Sequence, residues 1–418
     1  MTTRRDFVQR SVAAGAALGL APTELASAVG TAHVAAVDYY EKLGVQKIIN
    51  AAGTYTYLTA SLMPPEVQAA VAFAANHAVR LRDLQNAAGT YIARRLKCEA
   101  ALVSAGAACA LSLGTAGCMT LGNPDGAKDV PARTATFRNE VLIQKGHRLS
   151  HDHALEMCGA KLVEVDTLSD YESAFTPRTA MAFFFNAAEE GRIAHADWLR
   201  VAHAHGVPCF LDAAADVPPI ANLWNYTEMG YDLVTFSGGK GIRGPQNAGL
   251  LLGRMDLIAA AANNNNPNDR SVGRGMKVAK EQIVGMVAAL DWLLEQTDEK
   301  IEAEGRRRAE RIAATLRDLP TLTTEIVVPP VANRVPHLLV RYDQTRIGIK
   351  PSDVAVALRE GQPSIELNPG TGRTSGAAGL RSDENTIVIG LWMMKAGEDA
   401  VVGRRLRDVL QRALRQDA

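Results

Sequence analysis

The sequence predicts an α/β protein, with a large domain built on a mostly parallel sheet followed by a smaller α+β domain. Three observations carry this. From about residue 47, short apolar runs alternate with helical stretches, the pattern of strands covered on both faces by helices. After Pro320 the texture changes to four further strand-like runs with two helices among them. Setting aside the first 28 residues leaves 390, too many for one small core.

The first 28 residues read as an export signal rather than as part of the fold. Thr3-Arg4-Arg5-Asp6-Phe7-Val8 is a twin-arginine pattern, a weakly apolar run covers 11–20, and Ala26-Ser27-Ala28 is a small-residue cleavage site. Ten residues cannot cross a bilayer core as a helix, which needs about 20. Cleavage after residue 28 and export in the folded state, to the periplasm or beyond the cell, are expected. The domains expected are therefore 1–28 (signal), 29–297 (N-terminal segment and large domain) and 298–418 (small domain).

The large domain begins with a strand-like run at 47–50. Helices follow over 64–79, opened by Pro64-Pro65-Glu66, and over 84–96; proline suits a helix start. Strands are expected at 101–103, 141–144, 162–165, 181–185, 207–211, 233–236 and 250–252, and helices at 107–121, 151–158 and 197–205. Residues 263–269 form a polar loop rich in breakers. Long helices cover 279–295 and 298–316. In the small domain the strands are 325–328, 338–342, 365–367 and 387–391, with helices at 352–359 and 398–415.

The chain has 45 basic and 45 acidic residues, and without Arg4, Arg5, Arg10, Asp6 and Glu24 the remainder stands at −1. That balance gives no nucleic-acid surface. The five cysteines, Cys98, Cys109, Cys118, Cys158 and Cys209, lie in or beside apolar runs. They read as small buried hydrophobes, not as a disulfide framework, and none sits at metal-ligand spacing.

The stretch with the most chemistry is Phe236-Ser237-Gly238-Gly239-Lys240-Gly241-Ile242-Arg243-Gly244-Pro245-Gln246. A lysine fenced by four glycines at a strand end needs space and backbone freedom. A lysine amine so presented can capture an aldehyde cofactor, pyridoxal 5'-phosphate (PLP), as a Schiff base; the competing reading is a solvated turn lysine. Company upstream favours the cofactor. Pro208-Cys209-Phe210-Leu211-Asp212-Ala213-Ala214 ends a buried strand in a carboxylate, which could keep a pyridine nitrogen protonated, although a helix N-cap would use an aspartate too. Ala214 is small enough to lie under a ring. Ser104-Ala105-Gly106-Ala107-Ala108 ends a strand and opens a small-residue helix, where free N–H groups suit a phosphate and the Ser104 hydroxyl would add a donor. Ser237 offers the phosphate another hydroxyl. His147, just after the 141–144 strand, could stack on the cofactor as a catalytic residue, with His151 and His153 as competitors.

Taken with Ile49-Asn50-Ala51-Ala52-Gly53-Thr54, the stretch 159–165, Pro218-Pro219 and Arg274-Gly275-Met276-Lys277, these segments resemble fold-type I PLP enzymes. Within them they are similar to the selenocysteine synthase-like group that includes D-glucosaminate-type ammonia-lyases. The resemblance covers about 40–400 and is dense to residue 295. It implies the PLP-dependent transferase fold type I (aspartate aminotransferase-like) and an obligate homodimer with sites at the subunit interface. It also implies Lys240 as the Schiff-base lysine, Asp212 at the pyridine nitrogen, and Ser104, Gly106, Ala107 and Ser237 near the phosphate. Two features depart from the group: the export signal and neutral charge argue against a transfer-RNA substrate, and Asn368-Pro369-Gly370-Thr371-Gly372-Arg373 matches no pattern. The expected activity is α,β-elimination of ammonia from a 2-amino-3-hydroxy acid or amino-sugar acid. An arginine among Arg346, Arg373 and Arg381 would hold the carboxylate. The alternatives are another PLP reaction (aminotransferase, aldolase or selenium/sulfur transferase) and a non-catalytic exported protein of the same fold that binds a ligand.

Overall fold

The computed structural model describes residues 37–186, 192–375 and 380–416; the stretch 1–28 expected to be an export signal lies outside them. The chain divides into Met1–Lys47 and Ile48–Ala418. In the first unit a short helix, Tyr39–Lys42, is capped by Asp38, whose side chain accepts from the N–H groups of Tyr40 and Glu41 at 3.1 and 3.2 Å and pairs with Lys47.

The second unit begins with β1 (Ile48–Ala51). It continues through β2 (Ala100–Ser104), β3 (Glu140–Gln144), β4 (Lys161–Val165), β5 (Thr179–Phe185), β6 (Cys209–Asp212), β7 (Leu233–Ser237) and β8 (Gly249–Gly253). Strands β2 to β8 form a seven-stranded sheet in the order β2-β8-β7-β6-β5-β3-β4. Neighbours from β4 to β7 pair in parallel, and β8 is antiparallel to both β7 and β2. The expected mostly parallel sheet is present. Its strands are apolar on both faces, so consecutive residues feed opposite cores. Leu211, Val234 and Leu250 join Ile92, Leu96 and Met286 on one side. Phe210, Leu233 and Leu251 join Leu113, Met181 and Ala261 on the other. The helix Gly106–Thr120 is buried all round from Cys109 onward, as its small and apolar residues require.

The rest of the chain supplies β9 (Thr323–Val327), β10 (His337–Arg341), β11 (Ser364–Leu367) and β12 (Thr386–Gly390). An antiparallel sheet has the order β12-β10-β9, while β11 pairs in parallel with β1. Ile49 and Ala51 accordingly bury with Ile312, Leu338, Ile365, Ile387 and Leu406. The first strand therefore joins the C-terminal core instead of opening the large sheet, as its place in the sequence suggests. Four residues of alternating burial carry no signal of which sheet they will meet.

Four of the cysteines are buried and Cys98 is partly so; all five are free thiols, as expected of small apolar side chains. Among the described residues no helix is long and apolar enough to cross a membrane.

Candidate active site

Strands β2, β3, β5, β6 and β7 point the same way and end at Ser104, Gln144, Phe185, Asp212 and Ser237. Ligands of open α/β sheets bind at this carboxyl edge. The turns after β6 and β7 are tied together there, Ser237 N–H donating to the Ala214 carbonyl at 3.2 Å.

Lys240 sits in the turn after β7, its N–H donating to Ser237 O at 3.4 Å. None of the four glycines around it has a positive φ, so they serve close approach rather than left-handed backbone. At Gly241 a Cβ would overlap the Val217 carbonyl oxygen, and at Gly239 it would lie 2.6 Å from Gln246 Cα. Bare backbone lets the turn seat against the 213–219 segment and hold the lysine there. The Lys240 amine has no hydrogen-bond or ion-pair partner among the described residues. Burial lowers its pKa, against the opposing pull of Asp212 and Asp216. A half-buried, unpaired amine of lowered pKa has the character of a nucleophile.

Asp212 is 4% exposed. One carboxylate oxygen accepts from Ala214 N–H at 2.9 Å, and the other has no partner among the described residues. Burial raises its pKa, opposed by that N–H and by the charges of Lys240 and His151. A buried carboxylate with an unused oxygen fits a cationic N–H donor.

A second acid lies four residues on. Asp216 is 2% exposed, and burial pushes its carboxyl up to about 6. Oδ2 accepts from Asn186 Nδ2 at 2.6 Å and from the Tyr226 hydroxyl at 3.0 Å. Asn186 continues to His195 Nε2 at 3.0 Å, and His195 Nδ1 meets the Tyr231 hydroxyl at 2.7 Å. Sequence reasoning missed this group entirely. The one signal for it was a second acid in the apolar stretch 207–220; Asn186, His195 and Tyr226 come from separate elements.

At the helix Gly106–Thr120 the N-cap residue, Ala105, has no side-chain cap. Gly106 has φ +86°, with open space where a Cβ would be. The first N–H groups of this helix, those of Gly106 and Ala107 among them, have no side-chain cap, and such groups can take an anion. Ser104 does not contribute as expected. It is fully buried, and its hydroxyl donates to the Gly106 carbonyl at 2.9 Å, so it shapes the turn instead of reaching a ligand.

His147 is not brought to this group either. Its ring is 1% exposed, edge-on to Phe184 at 4.4 Å, and Nδ1 accepts from Phe185 N–H at 3.4 Å. Burial, with some help from His195, pushes its pKa down to about 4. His151 is exposed and lies within electrostatic reach of Asp212. Arg346, Arg373 and Arg381 are all exposed or at the surface edge, with no ion pair among the described residues. The fold also brings Cys209, His203 and Asp232 within 4.8 Å of one another, which spacing along the chain did not show. Asp232 is already taken by Arg254 at 3.0 Å, His203 at 2.8 Å and Cys209 N–H at 2.7 Å.

The chain is 27% identical to D-glucosaminate-6-phosphate ammonia lyase from Salmonella typhimurium, over 90% of this chain and 99% of that protein. It is 28% identical to 5'-C-glycyluridine monooxygenase-decarboxylase from a Streptomyces species, over 78% and 83%. A solved structure of D-glucosaminate-6-phosphate ammonia-lyase superposes with a TM-score of 0.76 at 26% identity, covering 90% of this chain and 99% of that one. The family model for aminotransferase class-V matches residues 156–374, a little over half of the chain and the part that contains Asp212, Asp216 and Lys240. The chain belongs to the aminotransferase class-V family and is an enzyme whose cofactor is PLP.

Proposed function

We propose that this enzyme is a lyase that eliminates ammonia from a 2-amino-3-hydroxy acid or an amino-sugar acid. The observation that carries the reading is a half-buried lysine amine without a hydrogen-bond partner within electrostatic reach of a buried aspartate, on a chain similar over nearly its whole length to an ammonia lyase. The residues fit the cofactor: an amine without a partner, a carboxylate oxygen without a donor, and an uncapped helix N-terminus with space beyond Gly106.

Lys240 would hold PLP covalently and Asp212 would pair with the ring nitrogen. The N–H groups of Gly106 and Ala107, with the Ser237 hydroxyl, would take the phosphate. His151 and Ala214 would flank the ring. When bound, PLP supplies an electron sink for the carbanion formed at the substrate α-carbon. The protein's share is to shift the Lys240 amine by burial toward its neutral form, against the pull of Asp212 and Asp216, so that it can accept the α-proton. Asp212 holds the compensating negative charge. Across the whole reaction the substrate loses water between Cα and Cβ and regains it at the imine carbon, so the net products are a 2-keto acid and ammonia.

Two further features belong to the proposal. The functional unit is a homodimer, and the twin-arginine pattern at Arg4-Arg5 sends it out of the cytoplasm after it has folded and loaded its cofactor. Export suits a lyase, which needs no second substrate to restore its cofactor.

The test is to supply 2-amino-3-hydroxy acids and 2-amino-sugar acids, with and without a 6-phosphate, and follow ammonia and keto acid without any acceptor. Many turnovers support elimination. A single turnover rescued by an added keto acid means transamination. Turnover that requires oxygen favours chemistry of the kind named for the Streptomyces relative.

A further inference from the structure

The proposed reaction uses Lys240 and Asp212 and leaves Asp216 without a task. The hydrogen bonds around Asp216 are directional. Burial and the Asp216 charge keep the Tyr226 phenol protonated, so it donates. Asn186 gives its amide hydrogens to Asp216 Oδ2 and, at 2.8 Å, to the Tyr226 oxygen. Its carbonyl oxygen must then accept from His195 Nε2, which leaves His195 Nδ1 to accept from Tyr231. Every link points toward Oδ2 of Asp216. Oδ1 is buried with no partner among the described residues. An unpaired carboxylate oxygen away from water is costly unless a cation or proton answers it.

The titratable groups around Asp216 are few. Tyr226 faces it from the helix Asn222–Met229, and His195, on the helix His195–Ala204, reaches it through Asn186. Asp212, at the end of β6, repels it, and Lys240, after β7, attracts it. Among the described residues Asp216 makes no ion pair; Gly241, next to Lys240, packs directly on the carbonyl of Val217, next to Asp216, and the Lys240 side chain is the basic group whose charge acts on it.

We propose that Asp216 is a positioning residue for the cofactor lysine, its unpartnered oxygen supplying the negative charge that sets how firmly the Lys240 nitrogen holds a proton. The proposal rests on Lys240 being the cofactor lysine. Once Asp212 is engaged with the ring nitrogen, Asp216 is the remaining carboxylate beside Lys240. The proton matters because capture of an aldehyde uses the lone pair of the neutral amine. A C–N bond forms, the C–O bond breaks, and the oxygen leaves as water; an ammonium has no lone pair to give.

The experiment uses the purified, cofactor-loaded enzyme. Its visible absorbance is titrated from about pH 5 to 10, and the midpoint reports the proton on the lysine nitrogen. Asp216→Asn removes the charge, keeps an acceptor for Asn186 and Tyr226, and lowers the midpoint by about one pH unit, the usual size for a near charge. Tyr226→Phe removes one donor to Oδ2, moves the carboxyl toward its neutral form, and lowers the midpoint by less; it carries the test if Asp216→Asn does not fold. An unchanged midpoint in a folded variant overturns the proposal, even if thermal stability falls, because a purely structural Asp216 would give that result. Failure of the underlying assignment looks different: in the unaltered protein, borohydride would not fix the chromophore on Lys240.

Discussion

Replacing His147 with asparagine tests whether this ring is buried structure or faces the cofactor. The structure buries it against Phe184 with a pKa near 4, against an ordinary value of about 6.5. A histidine whose folded pKa is depressed binds fewer protons folded than unfolded. Its contribution to stability is therefore whole above pH 6.5 and is lost as pH falls toward 4. At about 1.4 kcal/mol per pH unit the full loss is about 3 kcal/mol, a sizeable part of the 5–15 kcal/mol that holds a typical domain together. Asparagine cannot charge, and its carbonyl can accept from Phe185 N–H in place of Nδ1. His147→Asn should be less stable than the parent by about 1 kcal/mol at pH 7.5, for lost packing. It should be the more stable of the two at pH 4.5. Urea unfolding at both pH values, with both proteins carrying the same cofactor load, measures this. A stability difference that does not change with pH would refute the argument, since the ring would then titrate as a solvated or ligand-facing histidine. Loss of PLP from the variant would refute it independently.

Asp212→Asn should keep the fold and lose most activity, by about 10- to 150-fold for about 1.5–3 kcal/mol of charge-assisted hydrogen bonding; full activity would reduce Asp212 to a turn-forming residue. Gly241→Ala forces a methyl into the Val217 carbonyl and should cost about 3 kcal/mol, at the upper end for overpacking. Denaturant midpoints check this, and an unperturbed variant would mean the turn is not seated as described. Arg4→Lys with Arg5→Lys should leave the protein inside the cell with PLP bound. Unchanged fractionation of that double variant would remove the twin-arginine signal from the account.

The parts legible in the sequence were those that end apolar runs. Lys240 and Asp212 stand out because a charge closing a buried strand has few structural uses, and the strands themselves follow from uninterrupted Val, Ile, Leu and Phe. What could not be read depends on pairing across distance. β1 looks like any short strand until Ser364–Leu367 lies beside it. The Ser104 hydroxyl was expected at a phosphate, yet a carbonyl two residues away claims it first, a local competition common for serine. Asn264, Asn265 and Asn266 read as surface loop but are buried. Asn264 Nδ2 donates to the Thr120 hydroxyl at 2.9 Å and Asn266 Nδ2 to the Met276 carbonyl at 3.3 Å, partners that composition cannot reveal. The Asp216 network draws on four elements whose meeting is a property of the sheet order.

The most direct measurement of the central claim is to reduce the purified enzyme with borohydride and map the modified peptide. The account predicts a single pyridoxyl-phosphate adduct on Lys240, and no visible absorbance band in Lys240→Ala. An adduct on another lysine, or an undiminished band in that variant, would contradict it.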